Sequence, residues 1–160
     1  MKRRIAALGV AALLLAGGVA RAAPDAAVDV GATVISISNC RFRTTSAALA
    51  FGVLQPWNPV DVTVTAQMDV RCAGNAAPLA TYFISDDDGL HETGPNAHRM
   101  RNTTNAAAFL PYAFSYAPAT ATIPRNTNTP ITVTGTVYGV DYQWAASGDY
   151  TDTVTLTIVP

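Results

Sequence analysis

The sequence predicts an all-β protein, a sandwich of short strands, and three observations carry that prediction. The first is the C-terminal stretch, where Tyr150, Val154, Leu156 and Ile158 fall on one face of an extended chain and Thr151, Thr153, Thr155 and Thr157 on the other. A period of two built from β-branched residues marks a strand. The second is the run Val60, Val62, Val64, Ala66, Met68, Val70 and Cys72, in which every intervening residue is polar. The third is punctuation. Gly, Pro, Asn and Asp recur between the alternating runs, and beyond the N-terminal segment no window carries the 3.6-residue period of an amphipathic helix. A closed barrel of the same strands is the alternative; the alternation is too weakly aromatic, and the chain too short, for an outer-membrane barrel.

The elements follow in order. Lys2, Arg3 and Arg4 precede an apolar run over residues 5–19, and Ala20-Arg21-Ala22 offers a small-x-small cleavage site, so residues 1–22 read as an export signal. The run falls short of the roughly 20 apolar residues that cross a bilayer, which argues against an uncleaved anchor. Residues 28–38 alternate through Val28, Val30, Ala32 and Val34, then change phase at Ile35 and Ile37. Such a shift predicts a bulge or a hand-over between two partners. Leu49-Ala50-Phe51-Gly52 reads as a short strand closed by a turn, and the run from Val60 to Cys72 as an interior strand with Cys72 on its buried face. Residues 79–85 form a strand leading into the turn Asp86-Asp87-Asp88-Gly89. Residues 91–105 are largely polar, and 109–116 form an aromatic-rich strand that Pro111 places near an edge. Residues 131–140 alternate until Gly135 breaks the pattern; a loop carrying Trp144 leads to the final strand over 150–159. Trp57 and Trp144, both in loops, are expected to cap one end of the core.

Removing residues 1–22 leaves 138 of the 160 residues, with six arginines, no lysine and all eleven carboxylates, a net charge of −5. That surface has no electrostatic footprint for nucleic acid or for anionic lipid, so neither nucleic-acid binding nor stable membrane insertion is expected. The length suits one domain with its own core. Cys40 and Cys72 are the only cysteines, and in an exported chain a single pair reads as a structural disulfide, worth about 3–4 kcal/mol by loop closure.

Catalytic chemistry finds no foothold. There is no Gly-x-Ser-x-Gly elbow, no His-Glu-x-x-His and no glycine-rich phosphate loop between a strand and a helix. Asp86, Asp87 and Asp88 with nearby His91 and Glu92 lack the alternate acidic spacing of an EF-hand loop, so they read as a turn kept in water. His98 reads as a loop histidine. Neither a metal site nor a cofactor is expected, and the protein is not read as an enzyme.

An ordered set of landmarks resembles the spore coat protein U domain family, which includes subunits of archaic chaperone–usher pili. The landmarks are a Val/Ile-rich strand leading into Cys40, Leu49-Ala50-Phe51-Gly52, a long strand closing on Val70-Arg71-Cys72, and the pair Arg99-Met100. An aromatic strand with Tyr112, then Thr136-Val137-Tyr138-Gly139, and finally Gly148-Asp149-Tyr150-Thr151-Asp152-Thr153-Val154 complete it. The stretch between Pro118 and Ile131 is short and lacks the charged, tryptophan-bearing stretch that many relatives carry there, and the loop from Gln55 to Pro59 looks individual to this chain.

The resemblance implies an immunoglobulin-like β-sandwich that is incomplete, lacking its last strand and completed by donor-strand complementation. It implies an N-terminal extension that fills a neighbour's groove; residues 23–37 are read as that extension and 38–160 as the domain, with Val28, Val30, Ala32 and Val34 as donor side chains, and the alternative is that residues 28–37 pair only within their own domain. The strand carrying Tyr150, Val154, Leu156 and Ile158 would form the acceptor edge, with nothing after it in the sequence to cover that edge. The implied partners are a periplasmic pilus chaperone, an outer-membrane usher and other pilus subunits. The implied role is a structural subunit of a pilus or fimbria, exported through the periplasm to the cell surface, supporting adhesion or biofilm formation. Two alternatives stand beside it: a self-sufficient secreted sandwich that binds a ligand such as a glycan over Trp57 or Trp144, and a laterally packing coat or matrix protein.

Overall fold

A computed structural model describes residues 39–75 and 77–160; the expected export signal and the expected donor side chains Val28, Val30, Ala32 and Val34 lie outside the described residues. The centre of the fold is the antiparallel pair of β2 (Val62–Ala73) and β8 (Asn128–Val137), in register from Val62 opposite Val137 to Arg71 opposite Asn128. The pair forms because both strands alternate β-branched or sulfur-bearing apolar residues with polar ones. On the outer face the Thr63 and Thr136 hydroxyls lie 2.8 Å apart, a cross-strand hydrogen bond. β1 (Asn39–Phe42) flanks β2, and β6 (Ala113–Ala117) flanks β8, giving the sheet order β1-β2-β8-β6. Pro130 is tolerated inside β8 because β6 pairs only with residues 132–136, beyond it.

The second layer is split into two short sheets. β3 (Leu79–Asp86) lies between β10 (Leu156–Val159) and β7 (Thr120–Pro124), while β4 (Arg99–Asn102) lies between β5 (Phe109–Pro111) and β9 (Tyr150–Thr151). Two apolar clusters fill the space between layers. One gathers Val70, Cys72, Tyr82, Ile84, Ile123 and Ile131; the other gathers Met100, Leu110, Tyr112, Val137 and Tyr142. The architecture is an immunoglobulin-like β-sandwich of open sheets, not a closed barrel.

Cys40 stands directly opposite Cys72 on β1 and β2, and the two are joined by a disulfide. The long alternating run behaves as its pattern predicts, with burial deepening along β2 towards Cys72, but Val60 falls before the strand and is exposed.

Several sequence expectations need correction. Residues 109–116 are not one strand. Pro111 ends β5, the Tyr112 N–H donates to the His98 carbonyl at 3.1 Å, and β6 then pairs in the other layer. Gly135 does not interrupt β8, whose burial alternates straight through it. Its missing Cβ makes room instead: a Cβ there would sit 2.9 Å from Phe51 Cζ and 3.0 Å from Leu49 Cδ1. Leu49-Ala50-Phe51-Gly52 is not a strand, because it lies over that glycine without pairing to any described strand. The polar stretch 91–105 contains β4, and the strand expected to reach residue 140 stops at Val137, followed by a single helical turn, α1 (Gly139–Tyr142). The buried Tyr142 hydroxyl is 2.8 Å from both the N–H and the carbonyl of Val60, which docks the start of β2 against this turn. Trp57 and Trp144 cap nothing; they are 81% and 89% exposed.

Candidate binding groove

The final stretch keeps its period of two from Tyr150 to Ile158, even-numbered residues half-buried and odd-numbered ones exposed. It is not one continuous strand, however. β9 pairs with β4 and β10 with β3, and residues 152–155 between them cross from one short sheet to the other. Asp152 lies in this crossing. Its carboxylate shares the inward phase and accepts hydrogen bonds from the Tyr112 hydroxyl at 2.7 Å and from the Leu90 N–H at 3.0 Å.

This stretch forms one rim of a long groove. The opposite rim is the chain after β1, from Thr44 to Phe51, which crosses the inner face of the first sheet where Gly135 admits Leu49 and Phe51. Met68 and Val133 from the first sheet, with Met100, Tyr112 and Phe114, line the floor. The cavity measures about 690 Å³ and continues into a second of about 510 Å³ against Leu54, Leu110 and Tyr142. The two parts share Leu49, Phe51, Met100 and Tyr150, so they form one trough.

Among the described residues, 45–54 make no main-chain hydrogen bond, and neither do 152–154. At Thr155 the N–H is held by the Asp87 carboxylate at 2.8 Å. Exposed, unpaired peptide groups flanking an apolar floor form a template for an added strand.

Electrostatics stiffen the rim of 150–156. Burial, then the hydrogen bond to Asp152, pushes the Tyr112 hydroxyl far above its ordinary range. Burial and the Asp86 carboxylate push Tyr116 to about 12. Burial pushes the Asp87 carboxyl up, but hydrogen bonds from Thr155 and Gly89 outweigh it and hold it below the usual value.

Of the residues singled out by sequence, Tyr150, Val154 and Leu156 line the groove, whereas Ile158 packs in the core beyond it. Asp152, Leu49, Met100 and Tyr112 were not expected as groove residues. Asp152 was detectable, because it sits in phase with Tyr150 and Val154. The acidic turn is also not simply kept in water. Asp86 and Asp88 are half-buried and face His98, which is buried and opens β4's approach to the floor, whereas His91 and Glu92 take no part.

An immunoglobulin-like sandwich with an open, apolar, strand-shaped groove defines the class of protein. The family follows from the sequence: the Spore Coat Protein U domain model matches residues 25–157, and the chain belongs to that family. No curated protein matches it. Among solved structures, the chain is similar to one from the study "Chaperone-tip adhesin complex is vital for synergistic activation of CFA/I fimbriae biogenesis". The TM-score is 0.51 at 12% identity; the match covers 76% of this chain and 41% of that one, and shows a shared fold.

Proposed function

We propose that this protein is a structural subunit of a chaperone–usher type pilus, and that the groove receives a β-strand donated by a neighbouring subunit. The observation that carries the reading is the groove itself: apolar side chains on its floor and, among the described residues, unpaired main chain on both rims. A donated strand supplies main-chain hydrogen bonds for strength and alternate side chains for specificity. Residues 1–22 would be removed on export, and residues 23–37 would form the donor extension of the 38–160 domain. Val28, Val30, Ala32 and Val34 share one face of an extended chain, about 6.6 Å apart in succession, a spacing suited to a trough floor. Tyr150, Val154 and Leu156 would flank the incoming strand. Membership of the Spore Coat Protein U family and the fold shared with a fimbrial assembly support this reading. A periplasmic chaperone would cover the groove before assembly, an usher would export the subunit, and the fibre would serve adhesion or biofilm formation at the cell surface without catalysis.

The test uses the mature chain lacking residues 25–33, mixed with a synthetic peptide of residues 23–37. Amide protons of residues 150–156 should gain protection from exchange, and a peptide carrying Val30→Asp and Val34→Asp should confer none. Equal protection from both peptides, or from neither, would refute donor-strand insertion.

A second reading rests on Trp57 and Trp144, whose exposed rings are available to stack on a sugar. Glycan-array binding that disappears with Trp57→Ala or Trp144→Ala would support it, alone or as the adhesive function of the subunit. No binding in the parent chain would remove it.

A further inference from the structure

Behind the rim of 150–156, three ligand-type side chains from distant points in the sequence converge. His98 Nε2 lies 3.6 Å from Asp86 Oδ2 and 3.9 Å from Asp88 Oδ1, and the three donor atoms lie within 4.8 Å of one another. The His98 side chain is only 3% exposed, and it is wedged against the rings of Tyr112 and Phe114, with centroids 5.5 and 5.1 Å away. Among the described residues neither of its ring nitrogens makes a hydrogen bond: Nδ1 is buried without a partner, and Nε2 stands beyond hydrogen-bonding distance of both carboxylates. Buried imidazoles are normally hydrogen-bonded; Nε2 here stands within ion-pair range of two carboxylates but too far from either to hydrogen-bond, a spacing that leaves room for an ion among the three.

We propose that Asp86, Asp88 and His98 form a binding site for a divalent transition-metal ion, with Zn²⁺ the best match to the donor set. Ligands about 2.0–2.2 Å from a tetrahedral Zn²⁺ stand about 3.4 Å from each other. The two measured separations from Nε2 lie close to that, and small rotations of the carboxylates close the remainder. One imidazole and two carboxylates leave a fourth position for water. Ca²⁺ fits less well, because it needs six to eight oxygens and does not favour imidazole.

The surroundings prepare each ligand. The Tyr116 hydroxyl donates to Asp86 Oδ1 at 3.0 Å, which leaves Oδ2 turned towards His98. The Asn96 N–H donates to Asp88 Oδ1 at 2.7 Å, and Asp88 adopts a positive φ of 59°, which turns its side chain back over the loop. Among the described residues the ion-pair partner of Asp86 and Asp88 is His98, which offsets their charge only when protonated. The Asp88 side chain is 30% exposed and gives an ion a path in from solvent.

A bound ion would tie the end of β3 to the start of β4 and fasten the loop between them. That loop also holds the groove rim, through Asp87 to the Thr155 N–H and through the Leu90 N–H to Asp152. The ion would therefore stabilise the rim of 150–156, whether or not a donor strand occupies the groove.

The test is isothermal titration of the chelator-treated full mature chain with Zn²⁺, with thermal melts run in parallel. One equivalent should bind, and the melting temperature should rise with free Zn²⁺, with no comparable response to Ca²⁺ or Mg²⁺. Asp88→Asn, at the solvent side of the site, and His98→Gln should each weaken binding at least about tenfold, while His91→Gln should leave it unchanged. Absence of stoichiometric Zn²⁺ binding would overturn the proposal. So would binding that survives Asp88→Asn, or that follows His91, and Asp88→Asn decides the matter even if His98→Gln fails to fold.

Discussion

The hydrogen bond between Tyr112 and Asp152 should be one of the stronger single interactions holding the groove rim. Its 2.7 Å length joins a nearly buried hydroxyl to a half-buried carboxylate, and the carboxylate's other oxygen is held by the Leu90 N–H. A hydrogen bond to a charged group contributes about 1.5–3 kcal/mol. Partial exposure of Asp152 lets water replace some of that, so Tyr112→Phe should cost about 1.5 kcal/mol, near the lower limit. Asp152→Ala removes both hydrogen bonds and should cost more. The decisive assay is a double-mutant cycle by chemical denaturation, using Tyr112→Phe, Asp152→Ala and their combination. The cycle should return a coupling of about 1 kcal/mol or more, well above the roughly 0.5 kcal/mol within which independent sites add. Additivity within that limit would refute the claim that this contact sets the inward phase of Asp152.

Three further outcomes follow from the same structure. Replacing Cys40 and Cys72 together by serine opens a loop whose ends are 32 residues apart and should cost about 3–4 kcal/mol in chemical denaturation, with reducing agent reproducing the loss in the parent chain. Gly135→Val should drive Leu49 and Phe51 off the inner face of β8, lowering stability by about 1–3 kcal/mol and increasing protease cleavage within residues 44–54. The folded state holds Tyr112 and Tyr116 protonated above the ordinary tyrosine value of about 10, so their contribution is complete below that pH and is lost as pH rises through the folded values, about 12 for Tyr116. Denaturation midpoints should therefore fall from pH 10 upward, with phenolate absorbance appearing late for three tyrosines, because burial raises Tyr82 as well, and a flat midpoint to pH 12 would contradict this.

Legibility in the sequence tracked how local the governing physics was. β2 and the even-numbered face of 150–158 were readable because alternation reports directly which side of a strand meets the core. The disulfide was readable because two cysteines in a chain that reads as exported leave one pairing. β4 was hidden because Arg99, Arg101 and Asn102 look like loop residues; pairing with β5 and β9 overrides that, and the guanidinium of Arg99 stacks 3.9 Å above the Phe109 ring. The split of 109–116 into two strands depends on a change of layer at Tyr112, which no local period records. Half of the groove was equally hidden. Among the described residues its rim of 44–51 has no sheet pairing to impose a pattern, and its position depends on Gly135, far away in the chain. His98 joins Asp86 and Asp88 only because the loop between β3 and β4 folds back on itself, so spacing gave no sign of it.

The most direct test of the open-groove account is an unboiled denaturing gel of the exported protein, with and without residues 25–33. Donor-strand assembly should give a ladder of multiples that collapses on boiling and is absent from the deletion. A single monomer band from both forms, folded and soluble without a chaperone, would contradict it and leave a self-sufficient sandwich whose exposed Trp57 and Trp144 serve ligand binding.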